Sequence, residues 1–414
     1  MVKKKTPALS RGCLFAWISV GICALLIVGL FSVIIARPAT AAQGADVLRA
    51  IIGDEAVSKL EMVVFQVQDT VKQWKYDLGW ATPAAPWQAS DPISPRPLPT
   101  VISSAPSSTP DLAGKAPTPA SKESVPAAIT PAQLTWMPTP AVPFGKLSGE
   151  GIWTPYIQDA RGQTVSYRTF LQPDPTRPYV IVGVVAFEVS QTRLHYVLGS
   201  VEPFAPDNPK RSGEMSAADK TPGVLLAMFN GGFKARHGHF GAMADGVIAL
   251  PPRDGFGTLV IYKDGTLKMG EWGTEITDSP DMVAWRQNGP FVIHQGQISP
   301  KISENSPLDW GYTVDDVSPT WRSGIGLSAD GKTLYYLCGS SLSMEMLASS
   351  MQAAGISDGL QLDINTYWVH FVAVRANGNK LGLDALFPDM MNENIDRYLQ
   401  PYTRDFFYVT GINH

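Results

Sequence analysis

The sequence has little charge, and it lacks the short motifs of the common nucleotide and hydrolase sites. Charged residues make up 17% of its 414 residues, and 33 basic against 37 acidic residues give a net charge of -4. Because nucleic-acid-binding domains usually carry a basic excess, no nucleic-acid partner is expected. The absence of GxxxxGK[ST], GxSxG and HExxH argues against a phosphate-binding loop, a serine-hydrolase elbow and a zinc-protease helix.

Cysteine is also scarce, with three residues in the chain. Cys13 and Cys23 fall within an apolar run, which leaves Cys338 for the rest of the sequence, so a disulfide framework within one chain is not expected. The run covers residues 13–36 without a charge. As a helix it is long enough to cross about 30 Å of hydrocarbon.

The charges on either side of this run predict its orientation. Four cations lie in residues 1–12, whereas only Arg37 follows closely. By the positive-inside rule, residues 1–12 form a cytoplasmic tail, residues 13–36 form a signal anchor in the cell membrane, and the remaining chain is extracytoplasmic. The alternative is a cleaved signal peptide, since the small residues of Ala39-Thr40-Ala41 resemble a cleavage site.

Residues 45–79 are predicted to form a juxtamembrane helix or coiled coil. Apolar residues recur there at alternating spacings of 3 and 4, as in a heptad seam: Val57, Leu60, Val64, Val67, Val71, Trp74 and Leu78. Such a seam is compatible with a homodimer through residues 57–78, which the anchor would favour by raising the local concentration. Met62, Val63 and Phe65 widen the apolar face, which fits a helix on the membrane surface equally well.

Residues 80–146 are predicted to be a disordered linker. Between residues 83 and 143 lie 15 of the 34 prolines, mixed with alanine, serine and threonine and with few large apolar residues. A segment of this composition cannot bury enough apolar surface to build a core.

Residues 147–414 have the composition of a globular domain, with turn signals such as KDG at 263–265 between short β-rich runs. The predicted strands are 179–189, 195–200, 223–229, 257–262, 290–294, 324–327, 333–337 and 368–375. The clearest helix is 343–354, where Met344, Leu347 and Met351 share one face and Gly355 is placed as a C-cap. The predicted fold class is α+β, with a mixed, mainly antiparallel sheet and few helices.

Three motif clusters lie near the predicted strands. They are NGGFK at 230–234 with DG at 245–246, RQNGP at 286–290, and RSGIG at 322–326 joined by LQLD at 360–363 after the helix. In this order the motifs resemble the phosphodiester glycosidase family, which includes the enzyme that uncovers mannose 6-phosphate. The resemblance covers about residues 180–410.

The resemblance implies hydrolysis of a glycosyl phosphodiester (a sugar-1-phosphate diester) in envelope or exopolysaccharide material. The predicted catalytic carboxylates are Asp363 and Asp245. The substrate-binding residues expected beside them are Asn230, Gly231, Gly232, Lys234, His237, His239, Arg286, Asn288, Arg322 and Asn365. Lysine and arginine would hold the phosphate, and the asparagines would orient sugar hydroxyls. No cofactor is expected, and no metal, because the H-x-H at 237–239 has no evident third ligand.

One departure from the family pattern matters. Catalytic members usually continue the LD as LDGGGS, whereas this chain reads LDINTYW at 362–368. Consecutive glycines can form a backbone nest for a phosphate, and the β-branched Ile364 and Thr366 suit the required positive φ poorly. The alternative function is therefore a non-catalytic carbohydrate- or envelope-binding protein on the same fold. A further alternative is a scaffold whose function lies in the coil and the linker.

Overall fold

A computed structural model describes residues 38–87, 136–204, 211–304, 310, 318–388, 390 and 394–412. In these residues there are three α-helices: α1 (Pro38–Ile52), α2 (Asp54–Asp77) and α3 (Met344–Ala353). The strands are β1 (Thr154–Gln158), β2 (Thr164–Leu171), β3 (Val182–Glu188), β4 (Thr192–Val197), β5 (Leu225–Asn230), β6 (Ala242–Ala244), β7 (Val247–Leu250), β8 (Gly257–Tyr262), β9 (Leu267–Glu271), β10 (Met282–Gln287), β11 (Ile293–His294), β12 (Gln297–Ile298), β13 (Thr320–Leu327), β14 (Thr333–Leu342), β15 (Asp358–Ile364), β16 (Phe371–Asn377), β17 (Lys380–Ala385) and β18 (Phe406–Gly411).

The strands form three sheets. The large sheet has the order β1-β2-β3-β14-β13-β15-β11-β12, and the two five-stranded sheets have the orders β7-β6-β10-β8-β9 and β17-β16-β5-β18-β4. Every strand pairing within the described sheets is antiparallel. The α+β prediction with a mainly antiparallel sheet is confirmed.

The core lies between the sheets and is rich in aromatic rings. Phe229 of β5 packs on Phe371 of β16 and Phe407 of β18, with ring centroids 6.0 and 5.5 Å apart. Tyr336 of β14 joins this group from the large sheet, 4.8 Å from Phe229. Because the other face of the large sheet is also covered, the residues of β3 and β14 are buried almost throughout instead of in alternation.

Helix α3 covers that other face. Ser343 caps its N-terminus by accepting a hydrogen bond from the Met346 amide at 3.3 Å, and Leu347 and Met351 are buried against the sheet. Gly355, at φ +81°, ends the helix where the sequence predicts a C-cap. The helix predicted at 343–354 is confirmed to within one residue at each end.

Helices α1 and α2 form a hairpin that packs on the domain. Gly53 joins them at φ +87°, a conformation that glycine adopts without strain. Asp69 of α2 accepts a hydrogen bond from Arg177 at 2.7 Å, and the Tyr76 ring stacks on Tyr179 with centroids 5.0 Å apart. Neither these helices nor α3 is long and apolar enough to cross a membrane, and the predicted anchor at 13–36 lies outside the described residues.

Both described ends of the predicted linker also contact the domain. Trp87 is buried beside Phe170, and the Arg168 guanidinium lies 4.4 Å from its ring centroid. Trp136 contacts the Tyr167 ring at 5.7 Å. The intervening residues 88–135 lie outside the described part of the chain.

Candidate active site

The candidate site lies where one strand of each sheet ends or passes. Strand β5 ends at Asn230, β10 contains Arg286, and β15 contains Asp363. The loops after β5 and β15 and the segment before β18 complete it. The motifs at 230–234, 286–290 and 360–363 are therefore close in space although they are far apart in the sequence.

The inner layer of the site is a buried ion pair between Arg286 and Asp405. Arg286 Nε donates to Asp405 Oδ2 at 2.9 Å, and its other nitrogens donate to the carbonyls of Phe233 at 2.7 Å and Phe240 at 3.1 Å. The same Asp405 oxygen accepts from the Gly232 amide at 3.1 Å. Arg286 was predicted to hold phosphate, but in the structure its guanidinium donates to main-chain carbonyls. It therefore stabilises the loops that carry Phe233 and Phe240.

Asn230 and Asn288 stabilise the loop that follows β5, residues 231–234. Asn230 Oδ1 accepts from Tyr336 Oη at 2.8 Å, and its amide donates to Ser323 Oγ at 3.0 Å. Asn288 Oδ1 accepts from the Phe233 amide at 2.8 Å, and its Nδ2 donates to a main-chain carbonyl. Both side chains thus have protein partners instead of the sugar hydroxyls that were expected.

The two glycines of this loop allow its main chain to lie close to the side chains of Asp405 and Asn288. A Cβ at Gly231 would lie 2.5 Å from the Asp405 carboxyl carbon, and one at Gly232 would lie 2.4 Å from Asn288 Oδ1. Glycine is therefore required here for space, because neither residue has a positive φ.

The outer layer is a second ion pair, between Arg404 and Asp363, which lines a pocket. Arg404 Nη2 donates to Asp363 Oδ2 and to the Gly232 carbonyl, the latter at 2.8 Å, and its guanidinium lies 4.5 Å from the centroid of the Trp368 ring. Asp363 Oδ1 accepts from the Ile364 amide at 2.9 Å. Burial raises the pKa of Asp363 to about 6, although Arg404 acts in the opposite direction.

Lys234 and His237 line the same pocket. Lys234 Nζ lies 5.3 Å from the centroid of the Trp368 ring, and burial together with the nearby Arg404 lowers the pKa of Lys234. Burial and the neighbouring Arg236 hold the pKa of His237 well below its ordinary value. His237 Nε2 accepts from Arg236 Nε at 3.2 Å, so His237 is a neutral group at the edge of a cationic surface.

The α1–α2 hairpin covers this pocket. Both oxygens of Asp46 accept from Lys234 Nζ, at 2.8 and 2.6 Å, and one also accepts from Arg236 at 2.7 Å. Arg49 and Glu61 line the pocket from the hairpin and pair with each other at 2.5 Å. The cavity that remains is about 30 Å³, which is room for about one water molecule and far less than a sugar needs.

The turn after Asp363 differs from a glycine nest because most of its main-chain amides bond within the turn. Its positive φ falls on Asn365, at 84°, the residue type in this turn that tolerates such a conformation best. The main-chain carbonyl of Asn365 accepts from the amides of Trp368 at 3.2 Å and Val369 at 3.1 Å, and its side chain accepts from the Tyr367 amide at 3.4 Å. These amides are used within the turn, so the cations are the groups that face an anion in the pocket.

Asn230, Gly231, Gly232, Arg286 and Asn288 lie behind the pocket lining, and three further predicted site residues lie elsewhere. Arg322 is fully buried and donates to the carbonyls of Leu342 at 2.9 Å and Ser318 at 3.3 Å. His239 is exposed. Asp245 occupies the turn between β6 and β7 and lines a different cavity, of about 520 Å³. The expected pairing of Asp245 with Asp363 is therefore not seen, because a two-residue turn between short strands directs Asp245 away.

Sequence reasoning missed several residues that the structure brings to the pocket: Arg404, Trp368, Phe233, Arg49, Glu61 and Phe65. One signal was available, since Arg404 and Asp405 are adjacent opposite charges directly before an apolar strand. Ionised groups at such a position are costly unless paired. In the described residues no three His, Cys, Asp or Glu side chains come together as a metal-binding group.

No protein-family model matches the chain, and no curated protein matches it. Among solved structures, it is similar to the catalytic domain of zebrafish N-acetylglucosamine-1-phosphodiester alpha-N-acetylglucosaminidase, auto-inhibited by its pro-peptide. That match has 16% identity and a TM-score of 0.37, and it covers 61% of this chain and 85% of the other. A hypothetical protein from Synechocystis matches with 10% identity and a TM-score of 0.32, over 62% of this chain and 64% of the other.

Proposed function

We propose that this chain is a hydrolase of glycosyl phosphodiesters that acts at the pocket of Asp363, Lys234 and Arg404. Water adds to the anomeric carbon of the sugar, and the bond from that carbon to the phosphate oxygen breaks. A free sugar and a phosphomonoester leave. The observation that carries the proposal is a buried carboxyl group, Asp363, in one pocket with two buried cations.

Asp363 has the properties of the reactive carboxylate. Its pKa of about 6 leaves it ionised at neutral pH and makes it a stronger base than an ordinary carboxylate. It either accepts the proton of the attacking water or bonds transiently to the anomeric carbon. Both roles require the ionised form, and the hydrogen bonds from Arg404 and the Ile364 amide fix its orientation.

Lys234 and Arg404 have the properties of the phosphate-binding groups. The departing phosphate gains a negative charge as the bond breaks, and its second pKa is only about 6, so it needs charge neutralisation more than protonation. Lys234 acts as a point charge, and Arg404 presents a planar donor group held on the Trp368 ring. The motif order that resembles the phosphodiester glycosidases includes Lys234 but not Arg404, so it supports this role for Lys234 alone.

The hairpin is proposed to keep the site closed in this conformation. Asp46 places a carboxylate on Lys234 and Arg236, which is where a substrate phosphate would bind. Although burial acts in the opposite direction, Lys234 and Arg236 hold the pKa of Asp46 below its ordinary value. Substrate must therefore displace an ionised internal group. The predicted anchor would place this activity on the outer side of the cell membrane.

The alternative is a carbohydrate-binding protein without turnover. The turn at 365–369 favours it, because the amides there bond to Asn365 instead of facing the pocket. Both functions require an anionic sugar ligand at Lys234 and Arg404, and they differ in whether a bond breaks.

The test is release of free sugar from a panel of sugar-1-phosphate diesters by the purified full chain. We expect Asp363→Asn to lower kcat/KM by about a thousandfold or more. Asp281→Asn, on an exposed loop carboxylate, is the matched control and should leave the rate unchanged. Equal rates for Asp363→Asn and wild type would reject the catalytic role, and binding without release across the panel would establish the alternative.

The closed state is tested separately by calorimetric titration with a sugar phosphate. Asp46→Asn removes the internal carboxylate, so we expect about tenfold tighter binding than wild type, or about 1.4 kcal/mol. Glu55→Gln changes the same kind of charge on an exposed polar part of α2, where Glu55 pairs with Lys59 at 2.8 Å, and should have no effect. Unchanged affinity for Asp46→Asn would contradict the closed state.

A further inference from the structure

The outer side of the hairpin carries large apolar side chains that remain exposed. On α2 and its C-cap residue they are Leu60, Val63, Val67, Val71, Trp74 and Leu78, which are 42% to 62% exposed. Helix α1 adds Val47, Leu48, Ile51 and Ile52, and Trp80 follows α2. We call these residues the outer apolar face. Soluble proteins rarely expose apolar patches of this extent unless the patch binds something.

Helix α2 is divided into three strips. The inner strip, which includes Val57, Val64 and Phe65, is buried against the chain itself. A polar strip contains Glu55, Lys59, Gln66, Thr70 and Gln73, all exposed. The outer apolar face is the third strip, so the helix has one apolar side for its own domain and a second apolar side for something else.

We infer that the outer apolar face lies on the lipid surface of the membrane. The uncharged run at 13–36 ends one residue before Arg37, and α1 begins at Pro38. If that run crosses the bilayer, the hairpin starts at the bilayer surface, and its exposed apolar side chains can enter the interface. Trp74 and Trp80 suit this depth, because indole rings favour the boundary between lipid and water.

A second copy of the chain fits this face less well. A heptad seam would need Val57 and Val64, which are 1% and 7% exposed and are already used by the domain. The exposed residues of α2 follow at spacings of 3, 4, 4, 3 and 4, which is the period of one side of a straight helix instead of a supercoiled seam. Exposed apolar residues are also present on α1, so they are not confined to one line along α2.

The test places spin labels on the full chain in lipid nanodiscs. In a background with Cys13→Ala and Cys23→Ala, which leaves only the buried Cys338, a nitroxide is attached to Val71→Cys on the outer apolar face or to Thr70→Cys on the polar strip. A second pair, Val67→Cys and Gln66→Cys, repeats the comparison. Accessibility to oxygen and to a water-soluble nickel complex is then measured.

Lipid contact predicts a ratio of oxygen to nickel accessibility several-fold higher at residues 71 and 67 than at residues 70 and 66. Equal, water-like ratios at all four positions would overturn the inference. So would spin–spin broadening at residues 71 and 67 without lipid access, which would instead indicate a second copy of the chain. This lipid contact is independent of catalysis, so a failed activity assay leaves it intact.

Discussion

Arg404 and Asp405 are neighbours in the chain, yet each belongs to a different buried ion pair. Asp405 pairs with Arg286 in the inner layer, where its Oδ2 also accepts from Gly232 and from Tyr196 Oη at 2.9 Å. Arg404 pairs with Asp363 in the outer layer, which lines the pocket. The inner pair is surrounded by protein partners and holds the loop. The outer pair also consists of an arginine and an aspartate, but it lines a cavity, and burial raises the pKa of the Asp363 carboxyl group. The same kind of ion pair thus stabilises a loop in one place and lines a pocket in the other.

The largest expected effect is on the inner pair. Asp405→Asn leaves the buried guanidinium of Arg286 without its counter-charge, so we expect the free energy of unfolding to fall by about 3–5 kcal/mol. Urea denaturation at neutral pH measures it. A loss below about 1 kcal/mol would mean that the inner pair does not hold the loop, and the contrast between the two layers would fail.

This contrast also shows what could be predicted from the sequence. The motifs at 230–234, 286–290 and 360–363 were expected to meet, and they do, because each follows or lies on a strand of the shared core. The sequence did not show which cation faces the pocket. Arg286 lies within β10 and Arg404 lies just before β18, and only the packing of three sheets turns one toward main-chain carbonyls and the other toward Asp363.

In the secondary structure too, elements with strong local signals were predicted, and elements that depend on distant contacts were not. The strand predicted at 257–262 matches β8, and helix α3 was expected within one residue, because both have strong local signals. The strands β1, β2, β6, β7, β9, β10, β12, β15, β17 and β18 were not predicted. Many are short, and their order in the sheets depends on contacts distant in sequence. A juxtamembrane helix or coiled coil was predicted at residues 45–79, whereas the structure has two helices, α1 and α2, in this region. Their position over the pocket depends on Asp46, whose partners lie nearly two hundred residues away.

The second prediction concerns pH. The folded pKa of Asp363 is about 6 against an ordinary 3.8, so folding favours its protonated form. Its contribution to stability is fully present below about pH 4 and is lost as pH rises to about 6 and above, and it amounts to about 3 kcal/mol. The proposed activity runs the other way and rises with pH through about 6, because catalysis needs the carboxylate.

Asp363→Asn tests this prediction directly. The variant should lose the part of the pH dependence of unfolding that falls between about pH 4 and 6, measured by urea denaturation across that range. Below about pH 4 its stability should stay within about 1 kcal/mol of wild type, since a neutral side chain resembles the protonated acid, and at pH 7 the variant should be the more stable of the two by about 3 kcal/mol. A loss as large as that of Asp405→Asn would place both pairs in the same structural role.

A smaller effect is expected from the glycine between the two pairs. Gly232→Ala would place a Cβ 2.4 Å from Asn288 Oδ1 and 2.7 Å from Arg286 Nη2, so we expect a loss of about 1–3 kcal/mol. Gly44→Ala is the control: its Cβ meets no atom within 4 Å, and alanine favours a helix by about 0.5–1 kcal/mol over glycine. Thermal unfolding of both variants should therefore shift in opposite directions.

The smallest effect is expected from an exposed ion pair, which separates burial from charge as the source of the inner pair's strength. Lys263 Nζ lies 3.8 Å from Asp281 Oδ1, and the two side chains are 61% and 74% exposed. Water and salt screen such a pair, and holding two flexible side chains together costs entropy, so Lys263→Ala should change stability by only about 0–0.5 kcal/mol. Denaturation in low and high salt would detect any larger contribution as a difference between the two conditions. If the change approached that of Asp405→Asn, charge attraction alone would explain the inner pair, and the main-chain partners of Arg286 would have no special role.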